Sequence, residues 1–403
     1  MSYSLREAVF IIDGLRTPVG SYSKSLKDFS VARLGALVIQ GLLRRNKIPA
    51  ESIQEVILGN AVAAGAGQNP ARQAVVSAGL PVSIPAFTVN NVCGSGLQAV
   101  ILAAQAIGCG DKELILAGGM ESASQCPHLR FAHFPDDQNS DGEVESLLYD
   151  GLWCLLTNRH MGELAEATAK KFRISRRELD EYALNSHLKA VGARESGKFL
   201  PEILPIQLAE KKLLDYDERP RKNLNPEKLA SLAPAFAEAG ITTAGNSSSP
   251  GDGAAALMVA SEDFVRKNRL KTSARIVGYS FIGVDPKETF QANVPGIRMC
   301  LNNCGLSIDD IDLFEICEAF AAQAVLAQKE LQIPPEKINV WGGDLALGHP
   351  LGASGARILV TLLGALKDRN LRRGLASVCL GGGGAVSMIV ERNENPQQNL
   401  RMI

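Results

Sequence analysis

Two stretches of this chain share one pattern. Cys93-Gly94-Ser95-Gly96 stands before an Ala-, Ile- and Leu-rich helical run, and Gly352-Ala353-Ser354-Gly355 stands before another. Ser95 and Ser354 are 354 − 95 = 259 positions apart, and the flanking strand-like runs 114–119 and 378–383 keep nearly that offset. Self-similarity at a fixed spacing is the mark of an internal duplication, here of two similar α/β units. Such a repeat puts Cys93 and the loop carrying His349 at like positions on the two halves, where a shared cleft forms.

The rest of the chain agrees with an α/β architecture. Apolar strand-like runs at 8–12, 55–59, 85–89 and 113–119 alternate with helical runs at 31–45, 71–78 and 95–107. That alternation predicts a mostly parallel, buried sheet. The rhythm breaks between residues 121 and 250. There the chain has a polar acidic stretch at 135–145, read as an exposed loop, and a charged amphipathic helical region at 160–198. A Pro- and Lys-rich segment at 201–226 and a Gly/Ser turn at 243–253 follow. This segment reads as an insertion on a core. Strand-and-helix units then resume at 254–260 and 274–279, with helices predicted at 319–330 and 356–366 and a last strand at 385–390. The resulting division is an N-terminal half, 1–120 with 251–270, an inserted loop domain, 121–250, and a C-terminal half, 271–403.

Composition narrows the class. Lys+Arg 42 against Asp+Glu 43 leave a net charge of -1, with no basic tract, so nucleic acid is not an expected partner. The 8 cysteines form no CxxC pair, and Cys300 and Cys304 lack partner ligands nearby, so neither a disulfide framework nor a zinc site is expected. Residues 1–6 lead straight into an apolar strand, no run is long enough for a bilayer, and Arg401-Met402-Ile403 is not a peroxisomal address. A cytoplasmic protein without membrane contact is the expectation.

Three groups offer chemistry. Cys93 falls at a strand-to-helix turn, beside free N–H groups and a helix dipole that favour a thiolate. His349 lies in Gly348-His349-Pro350, and Cys379 ends a strand before Gly381-Gly382-Gly383-Gly384. A packed cysteine or an ordinary turn would account for each alone. Together, on like elements, they suggest a nucleophilic thiol, a base to activate it and a second proton-transfer thiol. The glycine run offers amides for a developing oxyanion.

These residues carry a resemblance. Asn91-Val92-Cys93-Gly94-Ser95-Gly96-Leu97-Gln98-Ala99, Ala117-Gly118-Gly119-Met120-Glu121-Ser122, His160-Met161-Gly162, Thr243-Ala244-Gly245-Asn246, Gly348-His349-Pro350-Leu351-Gly352-Ala353-Ser354-Gly355 and Cys379-Leu380-Gly381-Gly382-Gly383 occur in that order. The chain resembles the thiolases, acyl-CoA acetyltransferases, over nearly its whole length. The resemblance implies a duplicated α/β/α/β/α core with an inserted loop domain that holds coenzyme A. It implies joining of two acetyl-CoA to acetoacetyl-CoA and coenzyme A, or the reverse. These thioesters are substrates, and no cofactor or metal is implied. Cys93 would take the acyl group, His349 would activate it, and Cys379 would remove the α-proton of the second acetyl-CoA. The amides of Cys93 and Gly381 would form the oxyanion hole. Ser248, His160 and Met161 would contact the pantetheine and acyl group, with Arg221, Phe236, Leu152, Ala319 and Phe320 as further contacts.

One position departs. Thiolases usually carry Asn-Glu-Ala-Phe where this chain has Cys317-Glu318-Ala319-Phe320. The family's first residue holds a water at the enolate oxygen, and a thiol is a weaker hydrogen-bonding group than an amide. Slower condensation or an altered substrate preference is therefore expected. Gly383-Gly384-Ala385 also replaces the more usual Gly-Met/Gln-Gly. Two alternatives stand beside the acetyltransferase: a longer-chain 3-ketoacyl-CoA thiolase of β-oxidation, and a catalytically weak acyl-CoA-binding relative. The acidic stretch differs from the loop through which tetrameric thiolases assemble, so a homodimer is the safer expectation, with a homotetramer as the alternative.

Overall fold

The computed structural model describes residues 7–130, 142–209 and 212–392. In the N-terminal half, β1 (Val9–Arg16) leads to α1 (Val31–Asn46), then β2 (Glu55–Gly59), β3 (Ala86–Val89), α2 (Ser95–Gly108) and β4 (Leu114–Ser122). The inserted region carries α3 (Met161–Lys171) and α4 (Arg176–Glu195), after which β5 (Gly251–Ser261) returns to the sheet. The C-terminal half has β6 (Ala274–Gly283), α5 (Asn293–Cys304), β7 (Leu313–Ile316), α6 (Ala321–Glu330), α7 (Leu351–Asp368), β8 (Arg373–Leu380) and β9 (Gly384–Glu391).

Strand pairing makes the duplication visible. The path across the sheet runs β7-β8-β9-β6-β1-β5-β4-β2-β3. β2 pairs parallel with β4, β4 antiparallel with β5, and β5 antiparallel with β1. β7 pairs parallel with β8, β8 antiparallel with β9, and β9 antiparallel with β6, which is the same order and sense. Phe10 and Ile11 pair with Arg275 and Ala274 and join the two halves into one path. The sheet is thus mixed, which corrects the expectation of a mostly parallel one. The tight Leu380–Gly384 turn can link only antiparallel neighbours, and β5 comes back to the core from the insertion instead of through a crossover helix.

Alternation along the strands sorts the layers. Val56, Leu58, Leu114, Leu116 and Ala256 pack under α1 on one outer face. Ile57, Ile115 and Ala117 of one half, with Ala376, Val378 and Met388 of the other, enclose α2 and α7. Phe314, Ile316, Leu375 and Ile389 pack on α5 at the opposite outer face. These are the five layers α/β/α/β/α. Complete burial of β4 and β5 explains their continuous apolar and small-residue sequences. The central helices cross closely, and a Cβ at Gly355 would lie 2.6 Å from the Leu97 nitrogen.

Several boundaries differ from expectation. α7 begins at Leu351, so Gly352-Ala353-Ser354-Gly355 lies inside its first turns. α6 begins after Phe320. The region 160–198 is two helices, split at Phe172–Ile174 before a capping box of Ser175 and Glu178. Residues 135–141 of the acidic stretch lie outside the described residues, and Glu143–Glu145 is a strand paired with His128–Arg130, not an exposed loop. Among the described residues, no helix is long and apolar enough to cross a membrane.

Candidate active site

Cys93 follows a strained turn. Val92 has φ +48, costly for a β-branched residue. Three bonds hold it there: Val92 N donates to Asn90 Oδ1 at 3.0 Å, Ser95 Oγ accepts from Asn91 N at 2.8 Å, and Ser95 Oγ donates to the Val92 carbonyl at 2.6 Å. The turn leaves Cys93 half-buried immediately before the Gly94 cap of α2. Cys93 and Leu152 share a small apolar cluster with Ala61, Val62, Leu147 and Leu351.

His349 comes from the other half, on the loop before α7. Gly348, at φ +100, and Pro350 shape that loop, and His349 N donates to the Ser249 carbonyl at 2.9 Å. Its Nδ1 lies 2.7 Å from Ser354 Oγ, and Ser354 donates to Asp344 Oδ1 at 3.3 Å. Asp344 is ion-paired with the buried Arg357 at 2.8 Å. Among the described residues, His349 Nε2 has no hydrogen-bond partner. Burial opposes charge on His349, but the Cys317 and Cys93 sulfurs and Asp344 outweigh it and hold the imidazole well above its ordinary range. Burial likewise opposes charge on Asp344, yet Arg357 and His349 keep it ionised.

Cys379 is 2 % exposed near the end of β8. Burial, then the Cys317 and Cys93 sulfurs, push its thiol well above the ordinary range. Its Sγ donates to Gln323 Oε1 at 3.3 Å, while Gln323 Nε2 donates to the Cys317 carbonyl. Cys317 is fully buried with Sγ 3.8 Å from His349 Nδ1, and burial and Asp344 push its thiol up to about 12. After β8 the chain turns through Gly382 and Gly383, at φ +85 and +97. Gly381 backs onto Val92, 3.2 Å from where its Cβ would lie. Val92, Gly381 and Gly382, with Tyr149, Trp153, Leu155 and Met161, line a cavity of about 460 Å³.

The inserted region closes over these groups. Ser248 N donates to the Ala319 carbonyl at 3.0 Å, and Ser247 bridges to Phe320. His160 caps α3 through Nδ1, which accepts from Gly162 N at 2.9 Å, and its ring stacks on Phe236 at 5.0 Å. Phe236 meets Phe320 edge-on at 5.8 Å. Met161 packs in the same apolar cluster as Phe320 and Cys379. Of the sequence candidates, Arg221 stands apart: its side chain is exposed, and its backbone N donates to His187 Nδ1 at 3.2 Å. Arg219 lies nearer, half-buried, with its guanidinium donating to the Leu345 and Ser247 carbonyls.

Among the described residues, Cys317, Asp344 and His349 form a group whose ligand atoms lie within 4.8 Å of one another. The same Asp344 oxygen pairs with buried Arg357, so a cation there would face a guanidinium in low dielectric. Sequence reasoning missed Asp344, Arg357 and Gln323. Their one signal was proximity in the chain to His349 and Cys317, and spacing does not say which side chains turn inward.

A half-buried cysteine beside a helix start, a histidine with one free nitrogen and a second, buried cysteine, brought together from two like halves, define a cysteine-based acyl-group transferase. Comparison with known proteins agrees. The thiolase N-terminal domain matches residues 9–263 and the thiolase C-terminal domain residues 270–392. A probable acetyl-CoA acetyltransferase of Escherichia coli (strain K12) is 45% identical over 390 residues, 96% of this chain and 99% of its own. An acetyl-CoA acetyltransferase of Allochromatium vinosum is 43% identical over 96% of this chain and 100% of its own. Human mitochondrial 3-ketoacyl-CoA thiolase superposes with a TM-score of 0.93 at 37% identity, covering 97% of this chain and 100% of its own. The chain belongs to the thiolase family, and it is an acyltransferase.

Proposed function

We propose that this thiolase joins two acetyl-CoA into acetoacetyl-CoA and coenzyme A, reversibly, through an acyl-Cys93 intermediate. The observation that carries the reading is the His349 relay. His349 Nδ1 faces Ser354 Oγ at 2.7 Å and the Asp344 carboxylate at 3.6 Å, which favours a proton on Nδ1, so the free Nε2 is the nitrogen left to exchange a proton. In the first half-reaction His349 takes the Cys93 proton and the sulfur attacks the thioester carbonyl. The amides of Cys93 and Gly381 stabilise the oxyanion, and coenzyme A leaves with the proton. In the second, His349, neutral again, takes the proton of the Cys379 thiol, and the thiolate removes the α-proton of another acetyl-CoA as the enolate carbon attacks the acyl carbon on Cys93. Cys93 leaves as the thiolate and takes back the proton held by His349, and Cys379 holds the abstracted α-proton.

Ser248, His160, Met161, Phe236 and Phe320 hold pantetheine and the acyl end in this reading, with Leu152 and Ala319 beside them and Arg221 reaching the outer part of coenzyme A. The domain division at 1–120 with 251–270, 121–250 and 271–403, a cytoplasmic homodimer or homotetramer, a place in lipid metabolism and the lack of any cofactor complete the proposal. The cavity of about 460 Å³ beside Val92 favours one second reading, cleavage of longer 3-ketoacyl-CoA thioesters. Steady-state thiolysis of acetoacetyl-CoA against a longer 3-ketoacyl-CoA, with Cys93→Ala as control, tests both. Faster acetoacetyl-CoA turnover that the control abolishes supports the acetyltransferase, faster turnover of the longer substrate supports the second reading, and no turnover of either overturns both.

A further inference from the structure

Gln323 is fully buried in the first turn of α6, and its amide touches two of the three clustered thiol residues. Nε2 donates to the backbone carbonyl of Cys317, and Oε1 accepts from Cys379 Sγ at 3.3 Å. The carbonyl can only accept, so it fixes which way the amide points. Flipping the amide would press two oxygens together in a site without water's screening. Only the oxygen of Gln323 therefore faces Cys379.

We propose that Gln323 is a positioning residue for the α-proton transfer: its oxygen receives the Cys379 S–H and so holds the sulfur in one rotamer, with the sulfur lone pairs turned away from the amide. The inference rests on the reading of Cys379 as the group that exchanges the α-proton. A thiol has one donor and free rotation about its Cα–Cβ and Cβ–Sγ bonds. Proton transfer to carbon demands a close, aligned sulfur, and small misplacements are costly. In the cleavage direction the S–H turns about the Cβ–Sγ bond from the Gln323 oxygen to the departing enolate carbon and gives its proton there, leaving Cys379 as thiolate. In condensation the sulfur takes that proton back. Formation of acyl-Cys93 does not use this contact.

That separation supplies the test. Gln323→Met keeps the length and packing of the side chain and removes the acceptor. Acylation of Cys93 by acetyl-CoA, followed by intact-protein mass, is expected to stay within about twofold of the parent. Exchange of acetyl-CoA α-protons in heavy water is expected to fall about tenfold or more, with its pH profile displaced and the acylation profile unmoved. Loss of both half-reactions together, or unchanged exchange, overturns the inference. Cys379→Ala is measured alongside: surviving exchange there removes the base assignment itself, whereas loss there with no change in Gln323→Met overturns the Gln323 inference alone. The parent enzyme gives a readout independent of how the variant folds. The infrared S–H stretch of Cys379, assigned by difference from Cys379→Ala, is expected at the lower frequency of a hydrogen-bonded thiol, and a free-thiol frequency overturns the proposal.

Discussion

His349 Nδ1 and Ser354 Oγ lie 2.7 Å apart, one helical turn into α7, and that contact sets which imidazole nitrogen faces the chemistry. Ser354 links the ring to Asp344, itself anchored by Arg357, and the Asp344 carboxylate also lies 3.6 Å from Nδ1 directly. Ser354→Ala removes the link and leaves the helix intact. Turnover is expected to fall by about 10- to 100-fold with little loss of thermal stability, because tautomer and ring orientation are no longer held. Steady-state rates together with a melting curve check this, and unchanged turnover would show that Asp344 orients His349 unaided.

Cys317 places a weakly hydrogen-bonding thiol 3.8 Å from the same ring nitrogen. Replacing it with asparagine supplies a donor and an acceptor beside His349, where the proposed condensation develops an enolate oxygen. Condensation is expected to quicken about tenfold or more in Cys317→Asn, scaled from the 10²–10³ cost of losing an oxyanion-hole donor elsewhere. Turnover equal to the parent's would sink the idea that the thiol limits the rate.

Stability should depend on His187. Its Nδ1 accepts from Arg221 N, so the folded protein needs the neutral ring. Burial, with Arg219 and Arg221, lowers it to about 4 from an ordinary 6.5. The unfolded chain binds a proton below 6.5 that the folded chain refuses until about 4, so stability is full above that window and lost as pH falls through it. The loss between about pH 7 and about pH 5 is about 2 kcal/mol. Denaturant unfolding of His187→Gln should show that much less acid dependence; an identical slope would mean His187 titrates normally.

Arg16 ties the end of β1 to the inserted region. Fully buried, it meets Glu202 at 2.6 Å and both oxygens of Asp217 at 2.7 and 2.9 Å. Arg16→Met would leave two buried carboxylates without their cation, and a loss of about 3–5 kcal/mol is expected by chemical denaturation. A loss under about 1 kcal/mol would place this network among exposed pairs in strength.

What could be read directly from the chain was local or repeated. Asn90 to Gly96 encode the Cys93 turn through side chains that bond backbone two to four residues away. The recurrence of one pattern at 95 and 354 announced two like halves, and the motifs around Cys93, His349 and Cys379 named the family. Other features needed the folded molecule. Phe10 and Ile11 meet Arg275 and Ala274 across more than 260 residues of chain, and this pairing makes one mixed sheet of two halves. The path from Arg357 through Asp344 and Ser354 to His349, and the Gln323 bridge between Cys317 and Cys379, depend on which side chains the central layer turns inward. Sequence determines local bonds because their partners lie within a turn or two. Contacts between distant segments follow from close packing of whole layers, and that is decided only when the chain is folded.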